Sequence, residues 1–318
     1  MKKSIGLAMA AALTLCASQA LAAEKTQLAF IVNAASDFWK LAEAGVAKAQ
    51  KELGGDYELQ FRYPAQGTAA LQNALMDDLV AAGTDAIMIS SVDPKTSTDA
   101  FNRIAAQVPL FTTDSDAPQS NRIAYLGSSN TKAGVQAGEE MVKALGGKAG
   151  KCMGFVGFLD ADNARERIAG FRQAVQGKNI DLVDVRGDDV DFARARSNVD
   201  DVLAAMPDVN CMVGFYSYNP PKIYEALQAA GKLGQVTVVA FDEDPITLGA
   251  VRQGMFHATI VQQPFEWGYQ GMKLMAAYLK GDKSQIPADK LIIVPTKAID
   301  KGNVDAFESG LKAMLAKN

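Results

Sequence analysis

Short apolar runs and amphipathic stretches alternate along the first half of the chain. In the stretch that begins at Thr68, apolar residues recur at steps of three and four positions, which predicts a helix with one buried face. Glycines follow two such stretches and are typical of helix ends. The pattern predicts strands at 28–32, 59–63, 86–90, 110–113 and 123–126, and helices at 38–53, 68–82 and 94–107.

The same alternation restarts after residue 150. Strands separated by helices of this length indicate βαβ units and parallel sheets. Two copies of one plan predict an α/β protein of two doubly wound lobes. No linker rich in Gly, Ser or Pro separates the copies, so we expect several crossings and a cleft that closes by hinge motion. The second copy has predicted strands at 151–157, 180–185, 211–216, 236–241, 257–262 and 291–294, and predicted helices at 163–176, 192–206, 220–230, 245–253, 265–279 and 304–316.

The first residues have the pattern of a secretory signal peptide. Lys2 and Lys3 precede an apolar run at 5–16, and an Ala-x-Ala site predicts cleavage after Ala22. The run is shorter than the ~20 apolar residues that span a bilayer, which disfavours a membrane anchor. We therefore expect residues 1–22 to be a signal peptide and the mature chain to be a soluble periplasmic protein.

Composition and charge narrow the class of protein. Apolar residues make up 48% of the chain and charged residues 21%, the balance of an ordinary globular protein. Loss of Lys2 and Lys3 would take the formal net charge from −4 to about −6. An acidic protein without a basic block is a poor candidate for binding nucleic acid. Roughly 300 mature residues favour two domains over one.

Aromatic side chains follow the first predicted strand, at the sheet edge where ligands bind. The segment contains Ser36, Phe38 and Trp39, and it lacks the glycines of a phosphate- or dinucleotide-binding loop. Adjacent helix positions point about 100° apart. One ring is therefore expected to pack in the core, and the other to face the crevice and stack on a ligand.

Polar side chains follow three further strands, at Asp114, Asp242 and Gln262. Helix N-capping is one interpretation of the two aspartates. In one crevice the three side chains would also supply the fixed donors and acceptors that sugar hydroxyls need, because each hydroxyl both donates and accepts. A glycosidase-type pair of Asp114 and Asp242 is the enzymatic alternative.

Residues for other kinds of catalysis are lacking. His257 is the single histidine, and it opens a predicted strand at the end away from the crevice. This argues against a His-dependent triad and a Cys/His zinc site. The Gly-x-Ser-x-Gly elbow is absent as well. We expect no catalytic residue, no metal ion and no cofactor.

Several stretches resemble the ribose- and galactose-type periplasmic sugar-binding proteins that feed ABC transporters. They are 109–114, 134–138, 162–171, 239–242 and 258–264. The resemblance covers nearly all of the mature chain and implies the type I periplasmic binding protein fold, with a helix at 134–138. The implied hinge crossings lie near 127–130, 262–264 and 293–296, with an N-terminal lobe of residues 23–128 and 263–295 and a C-terminal lobe of residues 129–262 and 296–318.

The resemblance also implies roles for individual residues. Phe38 and Trp39 would stack on the ligand, and Asp114 and Arg167 would supply the main charged contacts of the two lobes. Asn130 would lie in the first crossing strand. The implied ligand-binding set is Ser36, Phe38, Trp39, Asp114, Asn130, Phe158, Arg167, Phe192, Asn219, Asp242 and Gln262.

Two departures from the family pattern bear on the ligand. Ribose binders usually have an arginine after the residue equivalent to Asp114, and this chain has Ser115. The segment 216–221 replaces the usual Asn-Asp helix start, so either Asn219 or Tyr216 supplies the polar contact there. The expected ligand is a small neutral molecule, namely a pentose, a hexose or a polyol.

The resemblance implies a binding protein, and no enzyme, that delivers its ligand to the permease of an ABC transporter. A ligand sensor for chemotaxis or signalling would use the same pocket and remains the alternative. Related repressors carry a DNA-binding segment at the position where this chain has its expected signal peptide, which argues against a repressor. We expect a monomer.

Cys152 and Cys211 open two predicted strands of the second lobe in similar frames. In a doubly wound sheet these strands are neighbours about 4.8 Å apart, within the Cα separation of a disulfide. An oxidising compartment permits the bond. The sequence predicts a Cys152–Cys211 disulfide, with two adjacent buried thiols as the alternative.

Overall fold

The computed structural model describes residues 25–316. The expected signal peptide at 1–22 lies outside this part of the chain. Among the helices of residues 25–316, none is long and apolar enough to cross a membrane. In chain order the elements are β1 (Thr26–Ile31), α1 (Trp39–Leu53), β2 (Tyr57–Arg62), α2 (Ala69–Ala81), β3 (Ala86–Ile89), α3 (Pro94–Ala105), β4 (Leu110–Thr113), β5 (Tyr125–Gly127), α4 (Asn130–Leu145), β6 (Gly150–Val156), α5 (Asp162–Val175), β7 (Ile180–Gly187), α6 (Phe192–Ala205), β8 (Cys211–Gly214), α7 (Asn219–Ala229), β9 (Thr237–Phe241), α8 (Pro245–Gln253), β10 (Ala258–Val261), α9 (Pro264–Leu279), β11 (Leu291–Ile293), β12 (Lys297–Asp300) and α10 (Val304–Ala316).

The strands form two six-stranded sheets, one in each lobe. The first sheet has the order β11-β5-β4-β3-β1-β2, and all its strands are parallel. The second has the order β12-β10-β9-β8-β6-β7, and only β12 runs antiparallel to its neighbour. The expected fold of two doubly wound α/β lobes is confirmed.

The chain crosses between the lobes three times. After β5, residues 128–129 lead into α4, which packs on α5 of the second lobe. After β10, residues 262–263 lead into α9, which packs on α1 of the first lobe. After β11, residues 294–296 lead into β12 of the second sheet. The crossings are short and lie side by side at one edge of the cleft, as a hinge requires.

Each sheet buries apolar side chains on both of its faces. In β1, Phe30 packs with Trp39 and Trp267 on one face, whereas Ile31 packs with Phe101 on the other. Successive strand residues point to opposite faces, so a strand covered on both sides needs an unbroken apolar run. The continuous apolar runs of the sequence therefore follow from the burial of both faces.

Close helix packing in the second lobe fixes the position of Arg167. A Cβ atom on Gly134 of α4 would lie 2.1 Å from the backbone oxygen of Arg167 on α5, and one on Gly170 would lie 2.2 Å from the backbone oxygen of Thr131. Only glycine permits this backbone contact. The two helices are therefore held together at the turn that carries Arg167.

Three features of the second lobe add to the predicted elements or correct them. Cys152 of β6 and Cys211 of β8 are register partners and form a disulfide. The apolar pattern does not indicate β12, because Ile299 is its single buried residue. Asn130 begins α4, so its expected place in a crossing strand is wrong.

Candidate functional site

A cavity lies between the lobes, beyond the carboxyl ends of the strands of both sheets. Protein atoms leave about 370 Å³ of space there, part of which is open to solvent. Residues that follow β1 and β4 form its first wall, and residues of the second lobe form the rest. The lining residues are Asn33, Ala34, Ser36, Phe38, Trp39, Asp114, Asn163, Arg167, Val190, Tyr216, Ser217, Tyr218, Asp242 and Gln262.

Asp114 binds polar groups from both lobes. It follows β4 with a positive φ of 54°, a conformation that aspartate tolerates better than most residues. Ser90 Oγ donates to its Oδ2 at 2.8 Å, and Asn163 Nδ2 lies 3.1 Å from each carboxylate oxygen. Burial raises the pKa of Asp114, and the nearby Arg167 guanidinium opposes the rise. Asp114 caps no helix, so its carboxylate is available to the cavity.

Arg167 is the cation of the cavity and is 1% exposed. Its Nε donates to Asn130 Oδ1 at 2.9 Å, and its Nη1 donates to the Phe215 carbonyl at 2.7 Å. Nη2 lies 3.5 Å from Asp114 Oδ1 and makes no hydrogen bond within residues 25–316. The guanidinium carbon lies 4.9 Å from the centre of the Phe241 ring. Arg167 is thus held by Asn130 and Phe215, and its Nη2, with two N–H donors, remains for a ligand.

Asp242 and Gln262 form a second polar pair in the cavity. Gln262 Nε2 donates to Asp242 Oδ1 at 3.0 Å, while Gln262 Oε1 is buried and has no partner among the described residues. Asp242 follows β9 with a φ of 67°, and it caps no helix. Burial raises its pKa to about 6, against the opposing effect of Arg167. The pair offers mainly acceptors.

At the segment that departs from the family, Tyr216 lines the cavity and Asn219 does not. Tyr216 lines the cavity, and its hydroxyl donates to Asn163 Oδ1 at 2.8 Å. Asn219 Oδ1 accepts from the Tyr216 backbone N–H at 3.1 Å, and its Nδ2 donates to Asp188 at 2.8 Å. Asn219 is therefore buried behind the wall, where it orients Tyr216.

The aromatic residues of the first lobe have different environments. Trp39 is 2% exposed, and its Nε1 donates to Asn33 Oδ1 at 3.1 Å. Phe38 is partly exposed, with its ring centre 5.1 Å from that of Trp39. Ser36 lies at the cavity mouth, because it lines both the cavity and the groove outside it. Phe38 is the better placed of the two rings to stack on a ligand.

Three other expected ligand contacts lie outside the cavity. Asn130 is buried behind it and holds Arg167. Phe158 is buried between the lobes. Its ring lies beside Gly67, and it belongs to the same hydrophobic cluster as Ala34. Phe192 is 44% exposed and packs on Tyr218. In this closed arrangement the three side chains support the walls, which corrects their assignment to the pocket lining.

Asn163, Tyr218, Asn33 and Asp188 are not among the site residues expected from the sequence. Asn163 lies in the first turn of α5, which follows β6, the first strand of the second lobe. Tyr218 donates its hydroxyl to buried Asp188. The pattern of strand ends marks Asn163, whereas nothing in the apolar periodicity marks a buried Tyr–Asp pair.

The cavity opens into a wider groove, with which it shares Ser36, Phe38 and Asp242. Tyr63, Phe192, Ile246 and Leu315, all partly exposed, line this groove together with Leu311. Leu311 and Leu315 come from α10, which starts in the core of the second lobe at Val304, so the last helix ends at the mouth of the cleft. His257 contacts Glu140 at 3.0 Å and lines neither space.

The residues described by the structure contain no group of three His, Cys, Asp or Glu side chains placed to hold a metal ion. What the cavity offers is a set of fixed hydrogen-bonding groups. Its free donor is on Arg167 and its free acceptor on Gln262, with carboxylates beside both. Such a site suits a polar, uncharged or weakly charged molecule that brings its own donors and acceptors.

Known proteins of similar sequence and structure are binding proteins. Residues 28–283 match the periplasmic binding protein domain family. A ribose import binding protein of Escherichia coli strain K12 is 30% identical over 298 residues, or 92% of this chain and 99% of the relative. The D-arabinose complex of an ABC transporter solute binding protein from Burkholderia graminis has a TM-score of 0.82 at 29% identity, over 88% of this chain and 97% of that chain. A glucose-galactose binding protein from Geobacillus stearothermophilus has a TM-score of 0.81 at 28% identity, over 88% and 99%.

Proposed function

The chain belongs to the periplasmic binding protein domain family, and we propose that it binds a monosaccharide or related polyol between its lobes and delivers it to the permease of an ABC transporter. One observation carries the proposal. Rigid polar groups of both lobes converge on one cavity, and a donor on Arg167 and an acceptor on Gln262 there lack partners within residues 25–316. A sugar hydroxyl satisfies both kinds of group.

The proposed binding step couples ligand capture to lobe closure. Asp114 belongs to the first lobe, and Asn163 and Arg167 belong to the second. A ligand that bridges these residues would favour the closed form, because it binds that form better than the open one. The permease would then distinguish loaded from empty protein by its shape. Phe38 would cover the apolar face of the sugar ring.

We propose a ligand-contacting set smaller than the one expected from the sequence. It contains the residues that line the cavity: Ser36, Phe38, Trp39, Asp114, Asn163, Arg167, Tyr216, Asp242 and Gln262. Asn130, Asn219, Phe158 and Phe192 would act as supporting residues.

Catalysis is not part of the proposed function. A glycosidase needs one carboxyl group to act on the scissile bond and another to act on water or the sugar. In the proposed site Asp114 and Asp242 both act as hydrogen-bond acceptors, for neighbouring side chains and for the ligand. We propose a monomer that is exported to the periplasm after cleavage behind Ala22, and the mass of the secreted protein tests the cleavage site.

A thermal-shift screen against pentoses, hexoses and polyols tests the function, since a ligand that binds the folded state raises the melting temperature. Calorimetry should then give one site per chain for the best compound. Absence of any shift across sugars, amino sugars and polyols at millimolar concentration would overturn the proposal. Turnover of a chromogenic glycoside would replace it with the enzymatic alternative.

A further inference from the structure

The charges that line the cavity do not balance. Asp114 and Asp242 are 3% and 2% exposed, and Arg167, at 1%, is the one cation among the lining residues of the described chain. Ser115, which follows Asp114, accepts a backbone N–H from Asp162 and brings no charge. With both carboxylates ionised, the lining carries one uncompensated negative charge. A buried charge without a partner is costly.

Asp242 is the carboxylate with the weaker compensation of its negative charge. Asp114 has donors on both oxygens and the Arg167 guanidinium at 3.5 Å. Asp242 accepts from the side chain and the backbone N–H of Gln262, and the Gln262 Oε1 is buried without a partner among the described residues. Gln262 is 3% exposed and lines the cavity. This end of the cavity therefore holds acceptors that need donors.

Nearby lysines do not fill this need. Lys40 and Lys222 line the outer groove, and neither lines the cavity. Lys40 pairs with Asp37 at 2.7 Å and Lys222 pairs with Glu225 at 2.8 Å. The missing cation can then come from the ligand. An ammonium group has three N–H donors and one positive charge, which matches a carboxylate beside an open amide oxygen.

We propose that the ligand carries an ammonium group that binds Asp242 and Gln262 Oε1, so that the natural ligand class is amino sugars or amino polyols. The inference rests on the proposed function, because it names the chemistry of the ligand in the same cavity. The rest of the ring keeps the hydroxyl contacts to Asp114, Asn163 and Arg167. Charge-assisted hydrogen bonds are about twice as strong as neutral ones, so an amine should be preferred over a hydroxyl at the same ring position.

Matched triplets of compounds test the ligand class. Each triplet contains a neutral sugar, its amino-deoxy form and the N-acetyl form, which keeps the nitrogen without its charge. Glucose, galactose, ribose and inositol series cover the amine at different ring positions, and calorimetry at pH 7.5 gives the affinities. For the best series we expect the amino form to bind at least ten-fold more tightly than the neutral and N-acetyl forms.

Two variants locate the preference. Asp242→Asn keeps the shape, tolerates the left-handed backbone and removes one charge, so the amino form should lose its advantage and bind no better than the neutral form. Asp37→Asn removes a charge from the outer groove, and the advantage should remain. Neutral sugars that bind as tightly as every amino form would overturn this inference and leave the proposed function standing. Failure of all triplets to bind would overturn the proposed function and this inference with it. An advantage that survives in Asp242→Asn would overturn the assignment to Asp242.

Discussion

Asn163 of the second lobe donates from its Nδ2 toward both carboxylate oxygens of Asp114 in the first lobe, at 3.1 Å each. The contact bridges the cleft. The Tyr216 hydroxyl donates to Asn163 Oδ1 and so orients the Asn163 amide with its Nδ2 toward Asp114. Because both partners are buried, this pair links closure of the lobes to the state of the Asp114 carboxylate. Asp114 directly follows β4, and Asn163 lies in the first turn of α5, the helix that follows β6.

Asp114→Ala should weaken sugar binding by a factor of about 5 to 150, which corresponds to about 1–3 kcal/mol for groups left unpaired in a closed site. The loss follows because Ser90 and Asn163 would lose an acceptor and Arg167 would lose the carboxylate that lies 3.5 Å from its Nη2. Calorimetry with the best ligand of the screen measures it. Asp77→Ala, at an exposed ion pair, is the control. Unchanged affinity in folded Asp114→Ala protein would contradict the assignment.

Arg167→Ala should reduce affinity more than ten-fold, whereas Arg165→Ala should change it little. Arg165 is partly exposed and donates to Asp162 and the Asp160 carbonyl, while Arg167 faces the cavity. Arg167→Lys keeps the charge but lacks the fork that binds Asn130 and Phe215 together, so it should also bind weakly. If Arg165→Ala abolished binding and Arg167→Ala did not, the orientation of the helix would be misassigned.

The two tryptophans should respond differently to ligand. Trp39 lines the cavity and Trp267 is buried in the core of the same lobe. Their ring centres are 6.5 Å apart, so single-tryptophan variants are needed to separate the signals. Fluorescence of Trp267→Phe protein, which reports Trp39, should change on ligand binding. Fluorescence of Trp39→Phe protein should change less. A larger change in Trp39→Phe than in Trp267→Phe protein would count against a place for Trp39 in the binding site.

Most of the fold follows from the apolar pattern, and the exceptions have physical reasons. The buried face of α4 consists largely of small residues, and two of them, Gly134 and Gly138, lie against α5 at backbone distance. Periodicity therefore does not indicate it, although the resemblance to a family does. β12 is short and lies at an edge, where Ile299 alone is buried.

The position of a residue after a predicted strand was a better guide to the cavity lining than its residue type. Asp114, Asp242 and Gln262 follow strands and line the cavity, and Asn163 would have been found by the same rule. The burial of Asn219 behind Tyr216 could not be predicted, since it depends on the buried carboxylate of Asp188, which comes from a distant loop.

The ligand-free protein should become more stable as the pH falls from 7.5 to 5.5. Burial raises the pKa of Asp242 and of Asp188 to about 6 and that of Glu166 to about 7. Since the unfolded values lie near 3.8 and 4.5, the folded state binds more protons in this window, and protonation favours it. Asp242 and Asp188, which are both buried, should contribute roughly 1 kcal/mol each by this linkage. Solvent screening reduces the contribution of the partly exposed Glu166.

Urea unfolding at pH 7.5, 6.5 and 5.5 measures this dependence. The contribution of Asp242 should disappear in Asp242→Asn protein, which cannot titrate at this position. A stability that falls steadily over this range in the natural protein would show that the three carboxyl groups are not buried as described.

The Cys152–Cys211 disulfide should stabilise the second lobe without affecting ligand binding. The bond joins the starting ends of β6 and β8, whereas the cavity lies beyond the opposite ends of the strands. It closes a loop with a sequence separation of 59 residues, for which chain entropy gives up to about 4 kcal/mol. The Cys152→Ala/Cys211→Ala double variant should therefore unfold at lower urea concentration and bind the ligand with unchanged affinity. Mass spectrometry of protein unfolded in alkylating reagent without reductant should find no modified cysteine. Two alkylated thiols in the exported protein would contradict the bond, and a loss of affinity in the double variant would show that the sheet transmits strain from this end to the cleft.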